Sequence, residues 1–404
     1  MTKPDQIART FGANASLLIR GLRRRYGVIM PADEPFSARA SNIDGERLSS
    51  LILAHDLSPS DLMHPAITSV LPPDWWAWFL RRHQEISNRT LARVGEMQLL
   101  CGSIERAGID VRFWKGPMLS LLLYGDLTSR PTRDIDILIR PDDLIPMRRL
   151  LCTHGYIDER PLRESSIPQY MSTHREWVMR RATENGMLHY VELQLSPAMP
   201  WSLSRAAQAM AFSDRQLVNL GKSSLPIPDP EIHWLMLAAH HGYAEGWRQL
   251  RQVSDMAAFA SLPPGRVNTD RLLELSECYG LKRTLTIGLG LAQRLAGISV
   301  PPGGIKSFEQ HERLIDKFED RLLHHPIPLK SEESLEAIRR QWVLADDVRA
   351  RGTLLWGHLR KWLAPGYVEL AIVQLPAALS FLYVPLKVLR PLIRWFLSTK
   401  APGS

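Results

Sequence analysis

Apolar positions in this chain recur mostly at three- and four-residue spacing, and one central interval shortens the period to two. Ala15-Ser-Leu-Leu-Ile-Arg-Gly-Leu22, Arg47-Leu-Ser-Ser-Leu-Ile-Leu53 and Trp75-Trp-Ala-Trp-Phe-Leu80 carry helical apolar faces, with Pro72-Pro73 breaking the chain ahead of the last. Val111 to Trp114 reads as a short buried strand that Gly116 ends. Pro117 suits the first turn of a helix, where no amide donor is needed. Met118, Leu119, Leu122 and Leu123 then repeat at helical spacing as far as Gly125. Ile135, Ile137 and Ile139 alternate with Asp134 and Asp136, a strand signature. Residues 176–195 predict a hairpin with Asn185-Gly186 as a type I′ turn pair. Its second run places Val191, Leu193 and Leu195 on one face and Tyr190, Glu192 and Gln194 on the other.

The expected fold is α+β: a small mixed β-sheet surrounded by helices, with helical N-terminal and C-terminal regions. The divisions read as a helical region over 1–95, the sheet-bearing core over 96–225, a helical domain over 226–365 and a basic amphipathic segment over 366–404. Asn219 to Pro230 reads as the loop into the second helical part.

The candidate chemistry starts with Asp134 and Asp136. Strand alternation points both carboxylates to one side, where they repel each other, and β-propensity disfavours Asp. A cation offsets that conflict, and paired carboxylates plus phosphates are a usual Mg²⁺ environment. A solvated, acidic edge strand is the alternative. Upstream, Lys115-Gly116 sits at a strand–turn–helix junction whose free N–H groups and dipole suit a phosphate, although ordinary turns look the same. Glu192 supplies a third acid within an apolar strand, with an exposed edge position as the alternative.

Lys115-Gly116, Tyr124-Gly125-Asp126, Arg130-Pro131 and Asp134-Ile-Asp136, together with the helical stretch Trp234 to Asp255, resemble the uncharacterised bacterial nucleotidyltransferase family of the DNA polymerase β-like superfamily. The resemblance is good over roughly residues 95–260. It implies a nucleotidyltransferase core in which Asp134 and Asp136 hold Mg²⁺, and Asp136 and Glu192 help hold a second ion; Mn²⁺ is a substitute. It implies that Lys115, Gly116, Arg130 and Arg133 serve the phosphates of a nucleoside triphosphate, and that Glu192 or Asp136 accepts the acceptor's proton. The acceptor is left open among a sugar or metabolite, a protein and a tRNA end, with nucleic acid not favoured. Polysaccharide biosynthesis is a common setting for the family. Two departures stand out: Pro117-Met118 replaces the expected serine-bearing turn, and Gln194 replaces the histidine of acid-x-His. They keep open a second reading, a catalytically weak nucleotide-binding or assembly protein.

Composition changes this picture little. The 404 residues include 45% hydrophobic and 23% charged, ordinary for a globular protein, and the net charge of +8 suits anionic partners without choosing one. Three cysteines without metal-ligand spacing, and no apolar leader, suggest a cytoplasmic protein. Lys387, Arg390 and Arg394 lie opposite Leu389, Leu392, Ile393 and Phe396, so residues 366–397 predict either a helix closing the core or peripheral contact with the inner face of an anionic membrane.

Other features read as structural. Trp75, Trp76 and Trp78 suit helix packing more than base stacking, and Gly221-Lys-Ser223 lacks the glycine spacing of a phosphate loop. His240 and His241, being adjacent, make a poor chelating pair. Asp255 would share the face of His240 if their helix continued, or would pair with Arg248.

Overall fold

A computed structural model describes residues 13–27, 43–58, 61–63, 68, 71, 73–184, 186–198, 203, 205–221, 223–300, 302–324, 335–373, 375 and 377–387. Among the described residues three helices come first: α1 (Ala13–Arg25), α2 (Gly45–Ala54) and α3 (Pro73–Arg106). Asp44 starts α2 by accepting N–H bonds from Glu46 and Arg47. Trp75 is buried and stacks on Phe79 at 4.9 Å, while Trp76 and Trp78 pack against the same core, so this cluster is helix packing. The 34-residue α3 runs through the expected boundary at 95/96 and carries the helical region directly into the core.

The central sheet forms where the apolar period is two. Its strands are β1 (Val111–Phe113), β2 (Ile135–Ile139), β3 (Ile157–Asp158), β4 (Glu176–Ala182) and β5 (Leu188–Gln194), in the order β1-β2-β5-β4-β3. β2 and β5 run parallel and the remaining pairs are antiparallel, which makes the sheet mixed. The β4–β5 loop differs from a two-residue turn. Thr183 N–H donates to Met187 O, Gly186 N–H donates to Thr183 O, and Gly186 has φ +79°. This is a three-residue connection with glycine in the left-handed position; Asn185 lies outside the described residues.

Between β1 and β2, α4 (Gly116–Tyr124) has proline in its first turn and ends at left-handed Gly125. α5 (Leu144–Thr153) follows β2. A second, two-stranded sheet pairs β6 (Arg215–Leu220) with β7 (Ser223–Pro228), where a loop was expected. Pro226 and Pro228 sit in a two-stranded ribbon, where proline is tolerated, while Leu225 and Ile227 are buried at alternate positions. The dismissed Gly221-Lys-Ser223 motif falls at this hairpin's turn, with Lys222 outside the described residues.

α6 (Pro230–Ala239) runs into a π-helical turn over His240–Glu245, then Gly246 and Trp247 both take positive φ before α7 (Leu250–Ala260) begins. The helix therefore does not continue from His240 to Asp255. The turn redirects the chain, and Asp255 arrives on a separate helix. Further on lie α8 (Thr269–Cys278), α9 (Lys282–Leu291), α10 (Pro302–His324), α11 (Leu335–Leu344) and α12 (Val348–Leu363). One apolar cluster joins α1, the sheet and the helices as far as α11, and continues to Tyr383, while Leu354 of α12 packs with Ala345 in a separate small cluster. Among the described residues, no helix is long and apolar enough to cross a membrane. Of the Lys387, Arg390 and Arg394 pattern, only Lys387 lies within them.

Candidate active site

Gly116 makes the junction between β1 and α4. Its φ is +59°, and a Cβ there would stand 3.0 Å from Thr132 Oγ1, whose hydroxyl donates to Asp134 O at 3.0 Å. A side chain is therefore excluded both by conformation and by the close approach of the segment that delivers Asp134 to β2. Lys115, the residue capping α4, extends Nζ to 2.8 Å from Asp136 Oδ1 and lies 4.6 Å from the Trp114 ring centroid.

The parallel register sets Asp136 opposite Glu192 and Leu138 opposite Gln194, while antiparallel pairing sets Glu176 opposite Gln194. Cross-strand partners share a face, so Asp136, Glu192, Gln194 and Glu176 project to one side of the sheet. Gln194 is fully buried. Its Nε2 donates to Asp136 Oδ1 at 2.7 Å and to Glu192 Oε2 at 2.8 Å, and its Oε1 accepts from Trp114 Nε1 at 3.1 Å. Of the two ends of the Gln194 amide only the nitrogen donates, so its contacts with both carboxylates fix the side-chain orientation.

The charges respond to this crowding. Burial first, and then Asp136, pushes Asp134 up to about 6, against Lys115 and Arg93. Burial, then Glu176, Asp134 and Asp136, holds Glu192 well above the usual carboxylate range. Asp136 goes the other way: burial opposes its ionisation, but Lys115, with His240 and Arg175, keeps it below its ordinary value. The three acids thus crowd one another in a buried place, a conflict that a bound cation would relieve.

The site also contains groups that the sequence did not single out. Glu176 is a fourth nearby acid, paired with Arg175 at 2.7 Å. Arg93, on α3, is 7% exposed and acts electrostatically on Asp134. Its Nε and Nη1 find no hydrogen-bond partner among the described residues. Strand register could have pointed to Glu176, but Arg93 sits on a distant helix and carried no motif.

Arg130 and Arg133, both expected at the phosphates, are held in ion pairs. Arg130 is 4% exposed and chelates Asp255, with Nε 3.0 Å from Oδ1 and Nη2 3.1 Å from Oδ2. Its backbone N–H donates to Ser120 Oγ, which anchors the loop after α4. The guanidinium is thus committed to an interior ion pair, a correction to its expected place on the phosphates. Arg133 is largely exposed and pairs with Asp56 at 3.2 Å.

Behind the acids lies a buried charge network. His241 faces Glu245 through Nδ1 at 2.6 Å and Asp255 through Nε2 at 3.1 Å. Arg251 reaches Asp56 at 3.0 Å and Glu245 at 3.2 Å. Arg248 pairs with Glu336 rather than Asp255. His240 Nδ1 lies 2.9 Å from Pro197 O, and burial pushes this imidazole down to about 3. Over the π-helical turn, potential ligand atoms of His240, His241 and Glu245 lie within 4.8 Å of one another. Arg251 already supplies positive charge there.

A cavity of about 270 Å³ adjoins the sheet; its described lining includes His174, Arg175, Glu176 and Lys361, and not Asp134, Asp136 or Glu192. His174 stacks on Tyr170 at 3.7 Å. A family model described as an uncharacterised nucleotidyltransferase matches residues 41–297. No curated protein and no solved structure matches the chain.

Proposed function

The chain belongs to the uncharacterised nucleotidyltransferase family, and on that footing we propose that it moves a nucleoside monophosphate from a nucleoside triphosphate to an acceptor in a divalent-metal-dependent reaction. The observation that carries this reading is the facing of Asp136 and Glu192 on adjacent strands, bridged by Gln194, with Asp134 at the entrance of β2.

Asp134, Asp136 and Glu192 would hold the metal, Mg²⁺ or Mn²⁺. Bound there, it would neutralise phosphate charge and stabilise the attacking and leaving oxygens. The chain's own groups supply the rest. Lys115 and Arg93 offer cations toward the phosphates, and α4 offers the free N–H groups of its first turn. Arg133 contributes from the rim. The acceptor oxygen bonds to the α-phosphorus while the bridging α–β P–O bond breaks. Pyrophosphate leaves with that electron pair, and the acceptor's proton passes to Glu192 or Asp136.

Triphosphate labelled at the α-phosphate, incubated with fractions of cell extract, tests the reaction class. Divalent-dependent transfer of label, absent with Glu192→Gln, supports it. Release of γ-phosphate alone, with no α-label transferred, contradicts it. Metal-dependent nucleotide binding without transfer in any fraction would favour the assembly reading.

A further inference from the structure

α12 turns its apolar side outward. Val348, Leu355, Trp356, Leu359, Trp362 and Leu363 are all exposed, with Trp356 at 65% and Trp362 at 63%. At 3.6 residues per turn these six positions fall within an arc of about 120°. The opposite side carries the buried Leu354 and Gly357. Exposed Arg349 and Arg360 lie on one shoulder of the arc, and Arg351 lies on the other. Phe381, also 65% exposed, shares a groove with Leu363 and Arg360 and extends the apolar surface. A patch of this kind, with indoles and flanking guanidinium groups, exceeds what scattered surface residues produce.

Charge selects the occupant. From Val348 to Ser404 the sequence holds eight Lys and Arg against one acid, Glu369, so a net +7 of the chain's +8 lies in its last 57 residues. Glu369 is buried and accepts the N–H of Gly366 at 2.8 Å, so it presents no exposed negative charge beside the patch. We propose that the outward face of α12 seats the protein on an anionic lipid bilayer, with its indoles at the headgroup level and its arginines on lipid phosphates. Indoles favour the interface between water and hydrocarbon, and an amphipathic helix with basic shoulders binds by apolar burial plus attraction to anionic lipid. Lys361, in the last turn of α12, lines the cavity that Glu176 also lines, which ties the docking helix to the catalytic sheet.

Co-sedimentation of the full chain with vesicles of phosphatidylcholine, alone or mixed with phosphatidylglycerol, tests this without nucleotide, so its outcome is independent of catalysis. The expected result is sedimentation with the mixed vesicles only, weakened by added salt. Trp356→Ser/Trp362→Ser should lower vesicle affinity by about tenfold or more while melting as wild type does. Arg349→Gln/Arg360→Gln, which leaves the apolar arc intact, should lower it mainly at low salt. Failure to sediment with either vesicle overturns the proposal. So does a wild-type dimer in light scattering that the tryptophan variant dissociates without vesicle binding, because the face would then belong to a second copy of the chain.

Discussion

Asp136 and Glu192 stand opposite one another on parallel strands, and a single amide, that of Gln194, donates to both. The bridge uses the amide's two N–H bonds to set the relative position of two acids that would otherwise repel. Its oxygen, held by Trp114, anchors the arrangement to the short link between β1 and α4.

Gln194→Leu should therefore cost more than its volume suggests. It removes the donor to both acids and leaves the Trp114 indole N–H without its partner in a buried place. A loss of about 2–3 kcal/mol is expected, with transfer activity falling as the acids lose their spacing. Gln194→His, which restores a ring N–H donor, should retain more of both. Urea denaturation of the two variants decides this, and equal loss would show that the bridge is packing only.

Arg130 and Arg93 separate structure from ligand binding. Arg130→Gln leaves Asp255 short of its main cation, and breaking such a buried pair costs about 3–5 kcal/mol. Remaining contacts of Asp255 with His241 and Arg251 place the expected loss near the lower end. If Arg130→Gln instead melts as wild type does and only weakens triphosphate binding, the interior role assigned to it fails.

Arg93→Gln should behave in the opposite way. Its Nε and Nη1 have no partner among the described residues, and burial lowers its proton affinity, with Asp134 opposing. The protein without nucleotide should keep its melting temperature, while triphosphate affinity drops about tenfold with the loss of a charge-assisted bond. A lower melting temperature with unchanged affinity would make Arg93 a structural residue.

Acid sensitivity has a source outside the central sheet. His55 is buried, accepts the Leu250 N–H at Nδ1 over 3.3 Å, and is pushed by burial from 6.5 down to about 4. Between those values the unfolded chain binds more protons than the folded one. The contribution is therefore complete above pH 6.5 and lost as pH falls toward 4, by about 3 kcal/mol. His233 and His240 are shifted in the same direction. His55→Asn keeps an acceptor for Leu250 and should show a shallower fall in stability from pH 6.5 to 4. An unchanged pH profile would count against His55 as a contributor.

Local patterns made the sheet and its acids legible. The period-two run at Asp134 to Ile139, the glycine at 116 and the alternation around Glu192 each act over a few residues, and the strands formed where they indicated. Relationships spanning long sequence separations were not legible. Arg130 lies 125 residues from Asp255, and nothing local to Arg130 distinguishes an interior ion pair from a phosphate ligand. Arg93 approaches Asp134 only because α3 packs along the core. The π-helical turn at His240 and the paired positive φ at Gly246 and Trp247 have no counterpart in the helical apolar pattern.

Calorimetric titration of each nucleoside triphosphate, with and without Mg²⁺, into wild type and Asp134→Asn/Asp136→Asn is the most direct test of the site. Binding that requires Mg²⁺ and disappears in a folded double variant is the predicted result. Binding that is indifferent to Mg²⁺ and equal in both proteins would contradict a metal–nucleotide site at Asp134, Asp136 and Glu192.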